Sequence, residues 1–192
     1  MGWFQSAART LFGDYAVYRV YGADPRRLSM PQRAAWVLGP IADGGEITSS
    51  ADPALRAVAA YGGEGARLFG AWADGTLAAA CAFWFGARYA SRNFWPLAAD
   101  EAKLVQLVTA EAFRGRGIGS QLIAYSGRAM GEHGFSRVYC RVWHSHAASR
   151  AAVRKAGWTY VALVVELFPF GARKSWRFVK RVERRSTLGR PC

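Results

Sequence analysis

Apolar residues in this chain come in short runs punctuated by Gly, Pro and Asp, and the spacing within each run indicates its element. Residues 3–12 carry a short amphipathic helical pattern, and residues 14–21, rich in Tyr and Val, predict a first strand closed by Ala23-Asp24-Pro25. Residues 26–45 fit two patterns, a short helix opening at Pro31 or a strand through Trp36-Val37-Leu38. Asp52-Pro53 places an acidic N-cap before a proline at the first helical position, so a helix runs from there to about Tyr61, where Gly62-Gly63 stops it. Residues 67–72 and 76–85 flank Ala73-Asp74-Gly75, a strong hairpin signal. A mixed loop over 89–100 holds Arg92, Phe94 and Trp95. Further strands are expected at 104–109, 137–143, 160–167 and 175–182, the last pairing back as a hairpin after Pro169-Phe170-Gly171, with a frayed tail over 184–192.

The 104–109 strand runs through a short connection into Arg114-Gly115-Arg116-Gly117-Ile118-Gly119 and at once into a helix. Ile118, Leu122, Tyr125 and Ala129 lie on one face of that helix, His133 falls in its last turn, and Gly134 suits the left-handed cap. Glycines between a strand and a helix start let backbone approach a ligand closely, and the free N–H groups and positive dipole end favour phosphate. A dinucleotide fold wants such a turn early in the chain and an acidic residue about 20 positions on, and none closes the second strand here. A Walker A loop fails as well, because no Gly-Lys-Ser/Thr follows.

Arg114-x-x-Gly117-x-Gly119 resembles the pyrophosphate loop of the GNAT superfamily of acyl-CoA-dependent N-acetyltransferases, and the preceding strand is in place. The segment H-S-H-A-A-S-R-A-A-V-R-K-A-G-W is similar to that family's closing helix. The resemblance implies an α/β fold of α+β type: a mixed, mostly antiparallel sheet of six to seven strands, splayed in the middle and flanked by helices. It implies one domain over residues 1–192, with core motifs at 101–158 and a basic segment at 171–192. It further implies acetyl-CoA as co-substrate, without a metal, and direct attack by an amine in a ternary complex. The pantetheine arm would lie on main-chain groups of Leu107, Val108 and Thr109. Its pyrophosphate would take the amides of Gly115, Gly117, Ile118, Gly119 and Ser120, with charge from Arg114 or Arg116. His146 stands where the family commonly has Asn, and Ser149 keeps its small residue. Val153 stands where many members carry the Tyr that protonates the leaving thiolate, which puts a side-chain general acid in doubt. A thiol with a pKa of about 8.5 leaves without much help. The candidate bases are Glu101, at the start of the central strand, and His144.

The charge changes this picture on the acceptor side. The 192 residues carry a net charge of +13. Much of it lies in residues 171–192, where Arg173, Lys174, Arg177, Lys180, Arg181, Arg184, Arg185 and Arg190 face only Glu183. If Trp176, Phe178 and Val182 pack inward, Arg177 and Arg181 form a positive row that would draw an anionic acceptor, such as an amino sugar or envelope precursor, or hold the protein against an anionic surface. Two other readings stand beside the enzyme: a catalytically degenerate acyl-CoA binder, and a basic nucleic-acid-binding protein, which no recognition motif accompanies. No run approaches the ~20 apolar residues of a membrane span. Cys81 and Cys140, inside strand-like runs, read as buried free thiols, so a cytoplasmic monomer or homodimer is expected.

Overall fold

The computed structural model describes residues 14–29, 36–42, 44–91, 95–168 and 176–182. Eight strands form one sheet: β1 (Asp14–Ala23), β2 (Val37–Pro40), β3 (Ala66–Ala73), β4 (Thr76–Trp84), β5 (Glu101–Thr109), β6 (Arg137–Trp143), β7 (Thr159–Phe168) and β8 (Trp176–Arg181). Their order across the sheet is β2-β3-β4-β5-β6-β1-β7-β8. Every pairing is antiparallel except β5 with β6. The mixed, mostly antiparallel sheet expected from the sequence is present, with eight strands rather than six to seven. The expected first strand, β1, lies between β6 and β7 and pairs with both.

Asp74 and Gly75, with φ of 48° and 76°, turn the β3–β4 hairpin, as the Asp-Gly signal predicts. Three short helices, α1 (Gly45–Thr48), α2 (Pro53–Arg56) and α3 (Gly86–Ala90), join the strands on the first side of the chain. The helix expected over 53–61 forms α2 and then tightens into a 3-10 turn, Ala57–Tyr61. The strand reading of Trp36-Val37-Leu38 is realised as β2, and the helix expected over 3–12 lies outside the described residues.

Helix α4 (Ile118–Glu132) carries the chain from β5 over the sheet to β6, and α5 (Ala147–Lys155) follows β6. The expected apolar stripe of α4 faces inward: Ile118, Leu122 and Ala129 join Phe69, Phe83, Leu104, Val138 and Val142 in the main core, Tyr125 packs partly buried against it, and Ile123 and Met130 widen the face. Two glycines of that helix are there for space. A Cβ on Gly127 would lie 2.6 Å from Leu28 Cδ1, and one on Gly131 2.7 Å from Pro25 Cβ. Residues 25–28 after β1 therefore close directly onto α4. The opposite face holds a second cluster under α1 and α2 (Ile47, Leu55, Leu77, Ala80) and a third around Tyr18, Val20, Trp95 and Tyr139.

The last strand departs from expectation. Its six residues are all exposed, so Trp176 and Phe178 do not pack into the core. Nor do the two arginines form an unengaged positive row. Arg177 Nε donates to Glu166 Oε1 at 2.7 Å across β7 and β8, and the Arg181 guanidinium lies 5.4 Å from the Trp95 ring centre. Cys81 and Cys140 are buried free thiols, and burial pushes both pKa values up to about 12.

Candidate active site

The one parallel ladder is short. Glu101 to Leu104 pair with Arg137 to Cys140, after which β5 and β6 diverge. The divergence starts at a bulge: Phe83 of β4 faces Leu104 and Ala82 faces Gln106, so Val105 has no partner across the ladder. Beyond it lies a cleft of about 390 Å³ walled by Leu104–Leu107, Cys140–Trp143, Ile123, His146, Ser149 and Val153.

Alternation of the antiparallel ladder decides which main-chain groups enter this fork. Ala110 N–H donates to Ala78 O at 2.9 Å, so Val108 and Gln106 also turn their N–H and C=O toward β4. The main-chain groups of Leu107 and Thr109 therefore point into the fork. Leu107 N–H meets the side-chain Oε1 of Gln106 at 3.1 Å, and Thr109 O accepts from Arg114 Nε at 3.2 Å. Of the three strand residues singled out in the sequence, Val108 is thus committed to β4.

The glycine-rich connection wraps the open end of the fork. Gly115 and Gly117 have φ of 77° and 81°, a backbone that side chains rarely adopt. Nothing lies within 4 Å of a Cβ built at Gly115. At Gly117 a Cβ would meet only Lys155 Nζ at 3.9 Å and Ser120 Oγ at 4.0 Å. The loop is an open cradle with the ammonium of Lys155 beside it. Lys155 is exposed at the end of α5, and the packing of α5 against α4 brings it to the loop. Ser120 Oγ donates to Gly117 O at 2.8 Å and braces the turn. Gly119 sits where a Cβ would be 3.4 Å from Thr109 Oγ1, which keeps the start of α4 close to β5. Ile118 is buried, so it offers the cradle only its main chain. Arg116 stacks 5.6 Å from the Phe113 ring centre.

Asp52 ties the loop to α2. Its carboxylate accepts from Ala54 N (2.8 Å), Leu55 N (3.3 Å) and Glu111 N (3.3 Å), and the backbone bonds, Ala54 foremost, hold its pKa below the ordinary aspartate range. Glu111 is thereby a loop residue anchored through its main chain. His146 holds the N-cap position of α5 without a side-chain capping bond, and it lines the cleft with Ser149. His144 occupies the turn after β6, where its N–H donates to Val17 O at 2.9 Å.

Glu101 is a correction. Its Oε2 accepts from Ala98 N at 2.9 Å and its Oε1 from the Tyr139 hydroxyl at 3.2 Å, at the closed end of the parallel ladder. Val105, at the bulge, is four positions further on, about 13 Å along β5. The carboxylate fixes the 95–100 loop and cannot reach the fork.

A parallel pair that forks beyond a bulge, with a glycine cradle at its open end, matches a known family architecture, and the sequence comparison agrees. The family model described as "Acetyltransferase (GNAT) family" matches residues 39–158. The chain belongs to the GNAT acetyltransferase family. Solved structures similar to it include a GNAT-family acetyltransferase of Colwellia psychrerythraea (16% identity, TM-score 0.59, 85% of this chain and 60% of that one). Another is a GCN5-related N-acetyltransferase of Kribbella flavida (15%, TM-score 0.57, 83% and 62%). A third is an acetyltransferase described as putative, from the GNAT family, of Novosphingobium aromaticivorans (19%, TM-score 0.55, 80% and 64%). At these identities the likeness concerns the fold. The chain spans 60% to 64% of the length of these three proteins. No curated protein matches it. For a GNAT protein it has a notable cleft lining: no tyrosine is among those residues, and Val153, buried at 3% exposure, takes part in the wall.

Proposed function

We propose that this protein transfers an acetyl or other short acyl group from acyl-coenzyme A to an amine, both bound at once. The observation that carries the reading is the fork: main-chain groups of Leu107 and Thr109 directed into a gap that ends at an open glycine cradle. Acyl-coenzyme A supplies an acyl group activated as a thioester. Leu107 and Thr109 would hold its pantetheine arm like an added strand. The amides of Gly115 to Ser120 would hold its pyrophosphate, with Lys155 and the arginines Arg114 and Arg116 adding positive charge. Where an acyl oxygen displaces the Gln106 side chain, the Leu107 N–H is a fixed donor facing developing negative charge. His144, in the turn between the cleft residues Trp143 and His146, is the base in this reading. Holding both reactants in one cleft supplies much of the acceleration.

Calorimetric titration with acetyl-CoA, followed by an amine screen read as thiol release, tests this. Micromolar binding with amine-dependent release is the expected result. Binding without release on any amine would mark a non-catalytic acyl-CoA protein, and absence of binding would overturn the proposal.

A further inference from the structure

The two ends of the sheet are finished differently. At one end β2 is four residues long and closes on Pro40, which has no N–H to offer a further strand. At the other end lies β8, six residues long and exposed throughout, with no strand on its outer side among the described residues. Trp176, Phe178 and Val179 are 60%, 57% and 45% exposed, and Val182, just beyond the strand, 47%. These apolar side chains occupy both faces. Trp176 and Phe178 pair with Leu167 and Val165 of β7, whereas Val179, of opposite parity, pairs with the buried Val164.

Cations are interleaved with them. Arg177 is ion-paired with Glu166, Arg181 keeps its charge against the Trp95 ring, and Lys180 is exposed on the face of Phe178. The strand belongs to a segment, residues 171–192, that carries eight basic residues against the single Glu183. A row of charge by itself would keep an edge strand from pairing with other chains. It does not account for two aromatic rings more than half exposed on the same edge.

We propose that β8 docks the protein edge-on against an anionic lipid surface. The exposure of both faces selects this partner. A protein layer covers one face of a strand, and an added strand pairs with its edge but leaves the side chains of both faces out. The headgroup region of a bilayer, entered edge-on, takes both faces at once. Aromatic rings settle at headgroup level while Lys and Arg meet the phosphates. Insertion is shallow, because the outer main-chain groups of β8 need water or phosphate as partners and would be stranded in hydrocarbon. A second copy paired along β8 would bring two basic segments together. A nucleic acid would stack on the rings and leave Val179 and Val182 without a role. Three strand spacings, ~14 Å, separate β8 from β6, so docking leaves the fork open. The proposal does not depend on the acyl-transfer reading.

The test uses the intact chain and vesicles of phosphatidylcholine, alone or mixed with phosphatidylglycerol, in co-sedimentation at low and high salt. Wild type should bind the anionic vesicles at least about tenfold more tightly than the neutral ones, and salt should weaken that binding. Trp176→Ser combined with Phe178→Ser should weaken it roughly tenfold, and Lys180→Glu by a similar factor. These positions are exposed and lie away from the fork, so the melting temperature and the acetyl-CoA dissociation constant should match wild type. Arg67→Gln, at an exposed position of β3 near the opposite end of the sheet, should leave vesicle binding within about twofold. Equal binding to neutral and anionic vesicles, or binding to neither, overturns the proposal. So does anionic binding that the double Ser variant retains in full, which would mark attraction to net charge alone. A dimer in sedimentation equilibrium that the same variant dissociates gives the strand to a second copy. A single-stranded oligonucleotide that displaces the vesicles and loses affinity in the variant gives it to nucleic acid. Either result overturns the lipid assignment.

Discussion

Strand β5 has two halves with opposite fates. From Glu101 to Leu104 it is paired by β6, and at Lys103 and Leu104 by β4 as well, and its charged groups are spent on structure: Glu101 on Ala98 and Tyr139, Lys103 buried against the Tyr89 ring at 5.3 Å. From Gln106 to Thr109 its strand partner is β4 alone, and Leu107 and Thr109 turn their main-chain groups to the fork. The difference arises at one inserted residue, Val105. A bulge bends the strand away from its parallel neighbour, and the ladder groups on that side become binding groups. Chemistry at the fork therefore depends more on main-chain geometry than on the titratable side chain that heads the same strand.

The contrast is broken most severely at the cradle. Gly117→Glu places a carboxylate where the pyrophosphate is proposed to lie and pairs with Lys155, so acetyl-CoA affinity should fall at least about 100-fold. The φ of 81° adds local strain of ~1 kcal/mol, which leaves the fold intact. Calorimetry beside a thermal melt separates the two effects; unaltered affinity would refute the cradle. Lys155→Ala should weaken acetyl-CoA by about tenfold and flatten the salt dependence of its binding, through loss of one charged contact. A salt slope identical to wild type would mean that its ammonium touches no phosphate.

The paired half should respond in the opposite sense. Glu101→Ala removes the acceptor for Ala98 N and Tyr139 Oη and should lower unfolding free energy by about 1–2 kcal/mol, measured by urea titration. Its kcat/KM should stay within about twofold, since loss of two hydrogen bonds at the closed end does not touch the fork. A hundredfold fall in kcat would return Glu101 to the reaction. The smallest effect is expected at Gln106. Its Oε1 competes for Leu107 N–H, so Gln106→Ala should tighten acetyl-CoA by roughly two- to fivefold, less than a full hydrogen bond. Weaker binding in that variant would show that the side chain assists the carrier rather than standing in for it.

What could be read from the sequence is what consecutive residues build. The glycine cradle, the apolar stripe of α4 and the Asp74-Gly75 hairpin each depend on neighbours within one or two turns, so spacing alone gave them physical meaning. Contacts between distant strands carried no such signal. A β-branched, aromatic run like residues 14–21 looks the same whether it forms an edge or slips between β6 and β7, because its period of two is indifferent to its partners. Yet that insertion sets Tyr18 beside Trp143 and Arg141, and brings Glu166 toward the same face. The alternation of β8 suggested a buried apolar face, but a strand buries a face only where another layer covers it, and nothing among the described residues covers Trp176 and Phe178. Register settled the remaining roles. One bulge at Val105 and one parallel ladder ending at Leu104 kept Glu101 from the fork and gave Val108 to β4, while the packing of α5 against α4 placed Lys155 beside Gly117. The sequence determined local chemistry; tertiary structure decided which of that chemistry meets, because the meeting depends on strand parity and on which strands are neighbours.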